Sequence, residues 1–301
     1  MSTSYLDKKK QKLTPGKFGA WLFLSVILFL SLFPVFWMLR TALSPNANLF
    51  SSELNLFPEG MSLNNFKRIL GFATLEEAQA MGGSGARLNF LLYLWNSIKF
   101  TGTIVIGTVS FAVLGGYALA RLNFRGRNTV FLILMSGLLV PSMFATIPNF
   151  ILIIKLHLLN TFAGSVAPFI FGSPFAVFFM RQFFLSFPKE IEEAAELDGL
   201  GVFSRLRRIV IPMSMPPIFT LALITGVGAW NEYLWPFLVA NDENKRVLTV
   251  GLRVFLAQSP STAPDWAGLM AATTMTIIPV VVILAIFGKK MIGSIQLAGF
   301  K

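Results

Sequence analysis

No cysteine occurs in this 301-residue chain, and histidine occurs once, at His157. The first absence removes disulfide frameworks, thiolate metal sites and cysteine nucleophiles. The second leaves nothing to build a histidine metal cluster around, and His157 reads as a loop side chain. Charge is scarce as well: Asp, Glu, Lys and Arg make up 13% of residues, against about 25% in soluble domains. The phosphate-loop pattern G-x-x-x-x-G-K-[S/T] is missing, and so are a nucleophile elbow and a Ser-His-Asp arrangement. The sequence therefore offers no catalytic residue, no metal site and no nucleotide site of its own.

What is present is apolar. Hydrophobic residues make up 54% of the chain, with 31 Phe among them. Six segments have the roughly 20 apolar residues needed to cross a bilayer: about 18–39, 98–120, 129–154, 162–180, 217–239 and 267–287. The first follows a basic cluster (Lys8, Lys9, Lys10, Lys12, Lys17) that resembles a signal-peptide n-region. The apolar run is long, however, and no small-x-small cleavage site follows it, so it reads as a retained span. The net charge of +11 could mean nucleic acid, an acidic substrate or a membrane bias. If the N-terminus is inside, most basic residues fall in inside segments, including Arg121, Arg125, Arg127, Arg205, Arg207, Arg208, Lys289 and Lys290. The positive-inside rule then places both termini in the cytoplasm. Topology accounts for the charge, and nucleic acid is not needed to explain it.

The expected organisation follows. Residues 1–17 are a cytoplasmic segment, 18–39 a first peripheral span, and 40–97 an extracytoplasmic segment. Within that segment LEEAQAM (75–81) reads as a short helix and GGSG (82–85) as a flexible break. Residues 98–287 form a five-helix core with a cytoplasmic loop at 186–212, and 288–301 are a cytoplasmic tail. Gly115, Gly116, Ala118 and Ala120 are small enough to let helices approach closely. Pro141, Pro148 and Pro279 can kink spans. Trp21, Trp37, Trp95, Trp235 and Trp266 suit membrane interfaces.

The loop reads SFPKEIEEAAELDGLGVFSRLRRIVIPMSMP from Ser186. Ser186 can cap a helix that Pro188 starts. Glu190, Glu192 and Glu193 sit in the first turns, where the helix dipole favours anions. Ala194 and Ala195 make a small, flat patch beside Ile191. Gly199 can end the helix with positive φ. A second amphipathic stretch carries Phe203, Leu206 and Val210, and Pro212 closes it. Such a helix–turn–helix suits a groove on another protein, or it is a surface hairpin with no partner.

The spacing Glu193-Ala194-Ala195, then Gly199, then Ile209-x-Ile211-Pro212 resembles the EAA motif of binding-protein-dependent importer permeases. NSIKFTG (96–102), GGYALARLNFRGR (115–127), VPSMFATIPNFILIIKLHLLNT (140–161), FFMRQFFLSFPKEIEEAAELDG (178–199) and GAWNEYLWPFLV (228–239) look like the carbohydrate branch of that family. A chain of this size resembles the maltose-type second permease subunit. The resemblance covers about residues 92–287. It implies an all-α integral membrane bundle of six transmembrane helices with a type I ABC importer permease-like fold. It also implies a heterodimer with a second permease, two copies of an ATP-binding subunit, and an extracytoplasmic solute-binding protein. ATP and Mg²⁺ would be used by the partner ATPase, with no cofactor in this subunit. Two features depart from the pattern. Residues 75–85 look like an insertion, and the tail GSIQLAGFK (293–301) lacks the usual small-residue ending.

The resemblance points to Glu193, Ala194, Ala195, Asp198 and Gly199 as the ATPase-coupling residues. Without it, Glu193 is only a helix N-terminal charge and Asp198 a brace for the turn. Trp230, Asn231 and Glu232 are candidates for the substrate path, because carboxylate, amide and indole suit hydroxyl-rich ligands and intramembrane charges are costly. Equally, Glu232 can sit at the outer interface or hold a subunit pair together. The expected cargo is a sugar or oligosaccharide. A polyol, a glycerophosphodiester, or secondary transport without an ATPase remain as alternatives.

Overall fold

The computed structural model describes residues 15–50, 56–58, 60–80, 82–84, 86–171, 173–259 and 264–298, with 287–298 as backbone alone. Lys8, Lys9, Lys10, Lys12, Gly85 and the end of the tail lie outside the described residues. All regular elements among the described residues are helical. They are α1 (Pro15–Ala42), α2 (Asn64–Ile69), α3 (Leu75–Ala80), α4 (Phe90–Arg121), α5 (Arg127–Ser136), α6 (Ser142–Lys155), α7 (Phe162–Ile170), α8 (Pro174–Ser186), α9 (Lys189–Leu197), α10 (Val202–Met213), α11 (Met215–Trp230), α12 (Leu234–Val239), α13 (Leu248–Gln258) and α14 (Trp266–Ala298).

Among the described residues, three helices are each long and apolar enough to cross a membrane: α1, α4 and the first part of α14 (Trp266–Ile286). The other expected spans are broken. Residues 127–155 form two helices bent by 101° and 162–186 two bent by 43°; a third pair, bent by 78°, joins 202–213, expected in the cytoplasmic loop, to 215–230, most of which was expected in the fifth span. Six spans result if each pair counts as one. The 129–154 run was expected to be continuous. Instead it turns at Pro141, which forces Val140 into extended backbone (φ −86, ψ 115). The 217–239 run stops at Trp230 and restarts at Leu234, leaving residues 231–233 outside helix. α4 starts at Phe90, earlier than the expected 98, and α13 was not anticipated.

α4 is the spine. Its 32 residues span about 48 Å, and three buried clusters are strung along it. Near its start, Phe90 and Tyr93 pack with Ala42, Ile69, Leu248, Phe255 and Ala271. In the middle, Phe100 and Ile104 meet Val166, Ala229, Val247 and Val250. Near its end, Val113, Tyr117 and Ala120 meet Met180, Phe184, Leu206, Val210 and Leu221. The α4–α8 crossing is closest at Gly116, where an added Cβ would lie 2.8 Å from Met180 Cβ and 2.9 Å from Arg181 N. Gly115 is less constrained, 3.6 Å from Val177. α1 packs beside α14 and is otherwise exposed, from Phe18 to Leu39.

The segment before α4 is not slack. Thr74 and Glu77 form a reciprocal capping box on α3, with bonds of 2.9 and 3.2 Å. The described part of the expected flexible break, residues 82–84, is pinned. Ser84 donates from N (2.8 Å) and Oγ (3.0 Å) to Asp265 Oδ2, just before α14. Asp265 is fully buried and pairs with Arg68 of α2 at 2.8 Å. The Arg68 guanidinium lies between Gly83 and Gly268, where any Cβ would collide with it. Asn46 donates to Gly82 O (2.9 Å) and accepts from Ala267 N (3.2 Å), joining the same two segments. Glycines here make room for a buried cation, and they do not confer mobility.

Two stability predictions follow for the detergent-solubilised protein. Arg68→Ala, which strands the Asp265 charge, should cost about 3–5 kcal/mol and lower Tm sharply. Gly116→Val should cost about 1–3 kcal/mol by overpacking. An unchanged melting curve in either variant contradicts the corresponding contact.

Candidate functional site

The loop after α8 folds as the hairpin of α9 and α10. Ser186 does not cap α9: it ends α8, and its Oγ donates to Phe183 O at 2.7 Å. Pro188 takes the cap position. α9 ends in a Schellman turn. Gly199 has φ +82, its N donates to Glu196 O (2.9 Å), and Leu200 N donates to Ala195 O (3.0 Å). A Cβ on Gly199 would meet nothing, so only its backbone angle demands glycine. In α10, Leu206–Val210 is a π-helical turn, with Ile211 N donating to Leu206 O. Pro212 has no N–H to give the normal ladder, and the wider turn precedes it. Leu206 and Val210 are buried against α4 and α8.

The expected Ala194–Ala195 patch does not exist as one surface. Ala195 is buried, while Ala194 is exposed. Residues 100° apart on a helix separate in this way. The outward face of α9 carries Glu190, Glu193, Ala194 and Leu197, spaced i, i+3, i+4, i+7. Leu197 is 89% exposed at the hairpin tip, and Phe203 of α10 is 69% exposed. Asp198 is the exposed C-cap residue, and its carboxylate makes no hydrogen bond among the described residues. The face combines two carboxylates with a large exposed apolar side chain, which is the chemistry of a protein-docking surface.

The inward face holds a residue that was not singled out. Glu192 is buried, and its Oε2 accepts from Tyr117 Oη at 2.8 Å. Its Oε1 lies 3.1 Å from Arg121 Nε, and Arg121 Nη2 donates to Phe187 O. Arg205 pairs with Glu196, and its Nη1 also reaches Glu192 O at 3.5 Å. The hydrogen bond and charge of Glu196 hold the Arg205 pKa above its ordinary value. A signal existed in the sequence: Tyr117 and Arg121 are four apart on α4, and Glu192 shares a face with Ala195 on α9.

At the other candidate site, Trp230, Asn231 and Glu232 do not converge. Trp230 packs against the cluster at the start of α4. Asn231 is exposed, and its Nδ2 donates to Val227 O at 2.8 Å. Glu232 Oε1 accepts from Trp235 N at 3.1 Å, so the carboxylate caps α12. The Glu232 carbonyl accepts from Thr249 Oγ1 at 2.7 Å, tying the break to α13. Trp235 is buried, with Nε1 donating to Gly164 O at 3.2 Å, and does not sit at an interface. His157 is exposed in a turn with φ 56.

Residues 112–291 match a family described as the inner membrane component of binding-protein-dependent transport systems. The chain is 30% identical to the arabinooligosaccharides transport system permease protein of Halalkalibacterium halodurans, over 91% of this chain and 93% of that one. It is 31% identical to the sn-glycerol-3-phosphate transport system permease protein of Salmonella typhi, over 84% and 86%. Its fold is similar to a chain of a bacterial ABC transporter that imports the acidic polysaccharide alginate, with TM-score 0.76, 23% identity, and 90% and 95% covered. A helical chain of broken and continuous spans, carrying a Schellman-capped hairpin, thus belongs to the family of binding-protein-dependent transport system inner membrane components.

Proposed function

We propose that this permease moves a sugar or oligosaccharide inward by alternating access, and that the α9–α10 hairpin is its contact with the ATPase. The chain itself is not an enzyme: its family is a membrane permease, and ATP is hydrolysed by a separate subunit. The observation that carries the coupling reading is the outward face of α9. Glu190, Glu193, Ala194 and Leu197 are turned away from the bundle. Glu193 offers a charge for a basic residue of the partner, Leu197 an apolar anchor, and Gly199 the turn that presents both. Ala195 and Asp198 act from behind, one packing the helix and the other ending it. The basic residues beside the hairpin support a cytoplasmic position, with both termini on that side.

The complete assembly in this reading is a heterodimer with a second permease, two ATP-binding subunits using ATP and Mg²⁺, and an extracytoplasmic solute-binding protein. The exposed apolar run Leu138, Leu139, Val140, Met143, Phe144 and Ile147, where α5 meets α6, suits the second permease. Binding of ATP closes the ATPase pair, the hairpin moves, and the path opens to the binding protein; hydrolysis resets it.

The sugar reading draws on the relative named for arabinooligosaccharides and on the break at residues 231–233. Discontinuous helices line solute sites in transporters, and Asn231 is exposed there. The relative named for sn-glycerol-3-phosphate favours a second cargo class, a phosphorylated polyol.

Reconstitution in liposomes with the partner subunits tests both parts. Glu193→Lys and Leu197→Asp should insert normally and lower binding-protein-stimulated ATPase activity about fivefold or more. Full stimulation in both contradicts the hairpin assignment. Glu232→Ala should reduce uptake more than assembly, whereas Glu232→Gln, which keeps an acceptor for Trp235 N, separates capping from solute contact. If Gln restores uptake fully, the carboxylate serves as a helix cap and leaves the substrate path.

A further inference from the structure

We infer that Glu192 is a positioning residue that latches α9 to the end of α4, so that hairpin movement reaches the spine of the bundle directly. The inference rests on the coupling role of the hairpin and assigns the route by which motion leaves it. Covalently, α9 is tied only to α8, through Phe187 and Pro188, and to α10, through the turn at 198–201. The α8–α9 joint meets α4 only through Phe187. From within α9 itself, the polar contact to α4 is made by the Glu192 carboxylate. One oxygen takes the Tyr117 hydroxyl at 2.8 Å, and the other faces the Arg121 guanidinium at 3.1 Å. The Arg121 side is a charge contact without hydrogen-bond alignment, so the directional bond is the one from Tyr117. Arg121 also donates to Phe187 O, which brings the α8–α9 joint onto the same cation. Arg205 holds α10 to α9 through Glu196 and the Glu192 carbonyl. α4 and α9 therefore meet at one carboxylate, and Arg121 and Arg205 extend the cluster to the α8–α9 joint and to α10.

Stability alone does not explain a carboxylate here. Ile191 and Ala195 already pack this face, and the Glu192 and Arg121 side chains are only 11% and 8% exposed. A buried ion pair is usually no more stabilising than apolar residues of the same volume, and its better-attested use is to fix register. Register is what a lever needs. An apolar contact lets α9 slide or roll on α4, whereas a hydrogen-bonded and charged one permits a single seating. The latch also falls one turn beyond Gly116, where α4 and α8 are already in closest contact. Displacement of α9 is thus delivered to a rigid pair of helices.

The cysteine-free sequence makes the test direct. Spin labels are placed at Lys189→Cys, exposed at the start of α9, and Leu114→Cys on α4 in the complete reconstituted transporter, alone or with Glu192→Gln or the isosteric Tyr117→Phe. ATPase co-purification, transport per ATP hydrolysed, and the label distance with and without ATP are measured. Both latch variants should keep the ATPase bound, broaden the distance distribution on ATP addition, and lower transport per ATP roughly fivefold or more. A normal transport ratio with a single narrow distance in both variants overturns the latch and leaves the coupling reading intact. Loss of the ATPase in both shows that Glu192 merely folds the hairpin and also overturns it. Full binding-protein stimulation of ATPase activity in both Glu193→Lys and Leu197→Asp removes the coupling reading and the latch with it.

Discussion

α4 and α8 meet closely at Gly116, and the arrangement around the hairpin depends on that contact. With no side chain at that point, α8 can lie against α4 backbone to backbone. Association of helices in lipid relies on packing and not on hydrophobic exclusion, because lipid tails are as apolar as leucine. A larger residue would separate the helices and widen the gap that Met180, Phe184 and Tyr117 now fill. Tyr117 and Arg121 lie just beyond the crossing. Their reach to Glu192 exists only because α8 delivers Phe187 and the start of α9 to that place.

The two ends of α4 solve different problems with similar parts. At the start, Arg68 and Asp265 hold the segment before α4 to α14, with Ser84 donating to Asp265 and Asn46 bonding the backbone of the same two segments. At the far end, Arg121 and Glu192 hold the hairpin. The first pair is sealed by glycines on either side of the guanidinium and by a fully buried carboxylate. The second keeps some exposure and adds a hydroxyl. One end is locked into the bundle, while the other is fastened to a short hairpin whose opposite face is open.

Much of this was legible in the sequence, for identifiable reasons. Long apolar runs declare spans because the bilayer sets their length. The EAA spacing declares the hairpin because a glycine must take positive φ at a fixed distance from the helix start. What stayed hidden depends on contacts between distant residues. GGSG reads as slack until Asp265, far along the chain, is seen to hold Ser84. Hydropathy cannot show that the third, fourth and fifth spans break, since Pro141, Ser173 and Asn231 sit inside apolar runs. The breaks persist because capping groups serve the freed backbone: Ser173 Oγ accepts from Ala176 N and Glu232 accepts from Trp235 N. The Glu232 carboxylate, read as a costly intramembrane charge, is first of all the group that lets α12 begin.

The adjacent glutamates 192 and 193 show why composition alone could not assign the coupling residues. One helical step of 100° turns the first into the bundle and leaves the second in solvent. Glu193 matches the motif and is free to meet a partner. Glu192 precedes the motif and is committed to Tyr117 and Arg121. The coupling role proposed for α9 needs both functions, one face that is gripped and one that grips, and a nine-residue helix provides them only if neighbouring positions divide the work. The exposed face alone would let an ATPase pull on a helix free to roll, and the buried face alone would give it nothing to hold. The sequence pair Glu-Glu ahead of Ala-Ala is the shortest way to place a carboxylate on each side of one helix, about 1.5 Å apart along its axis.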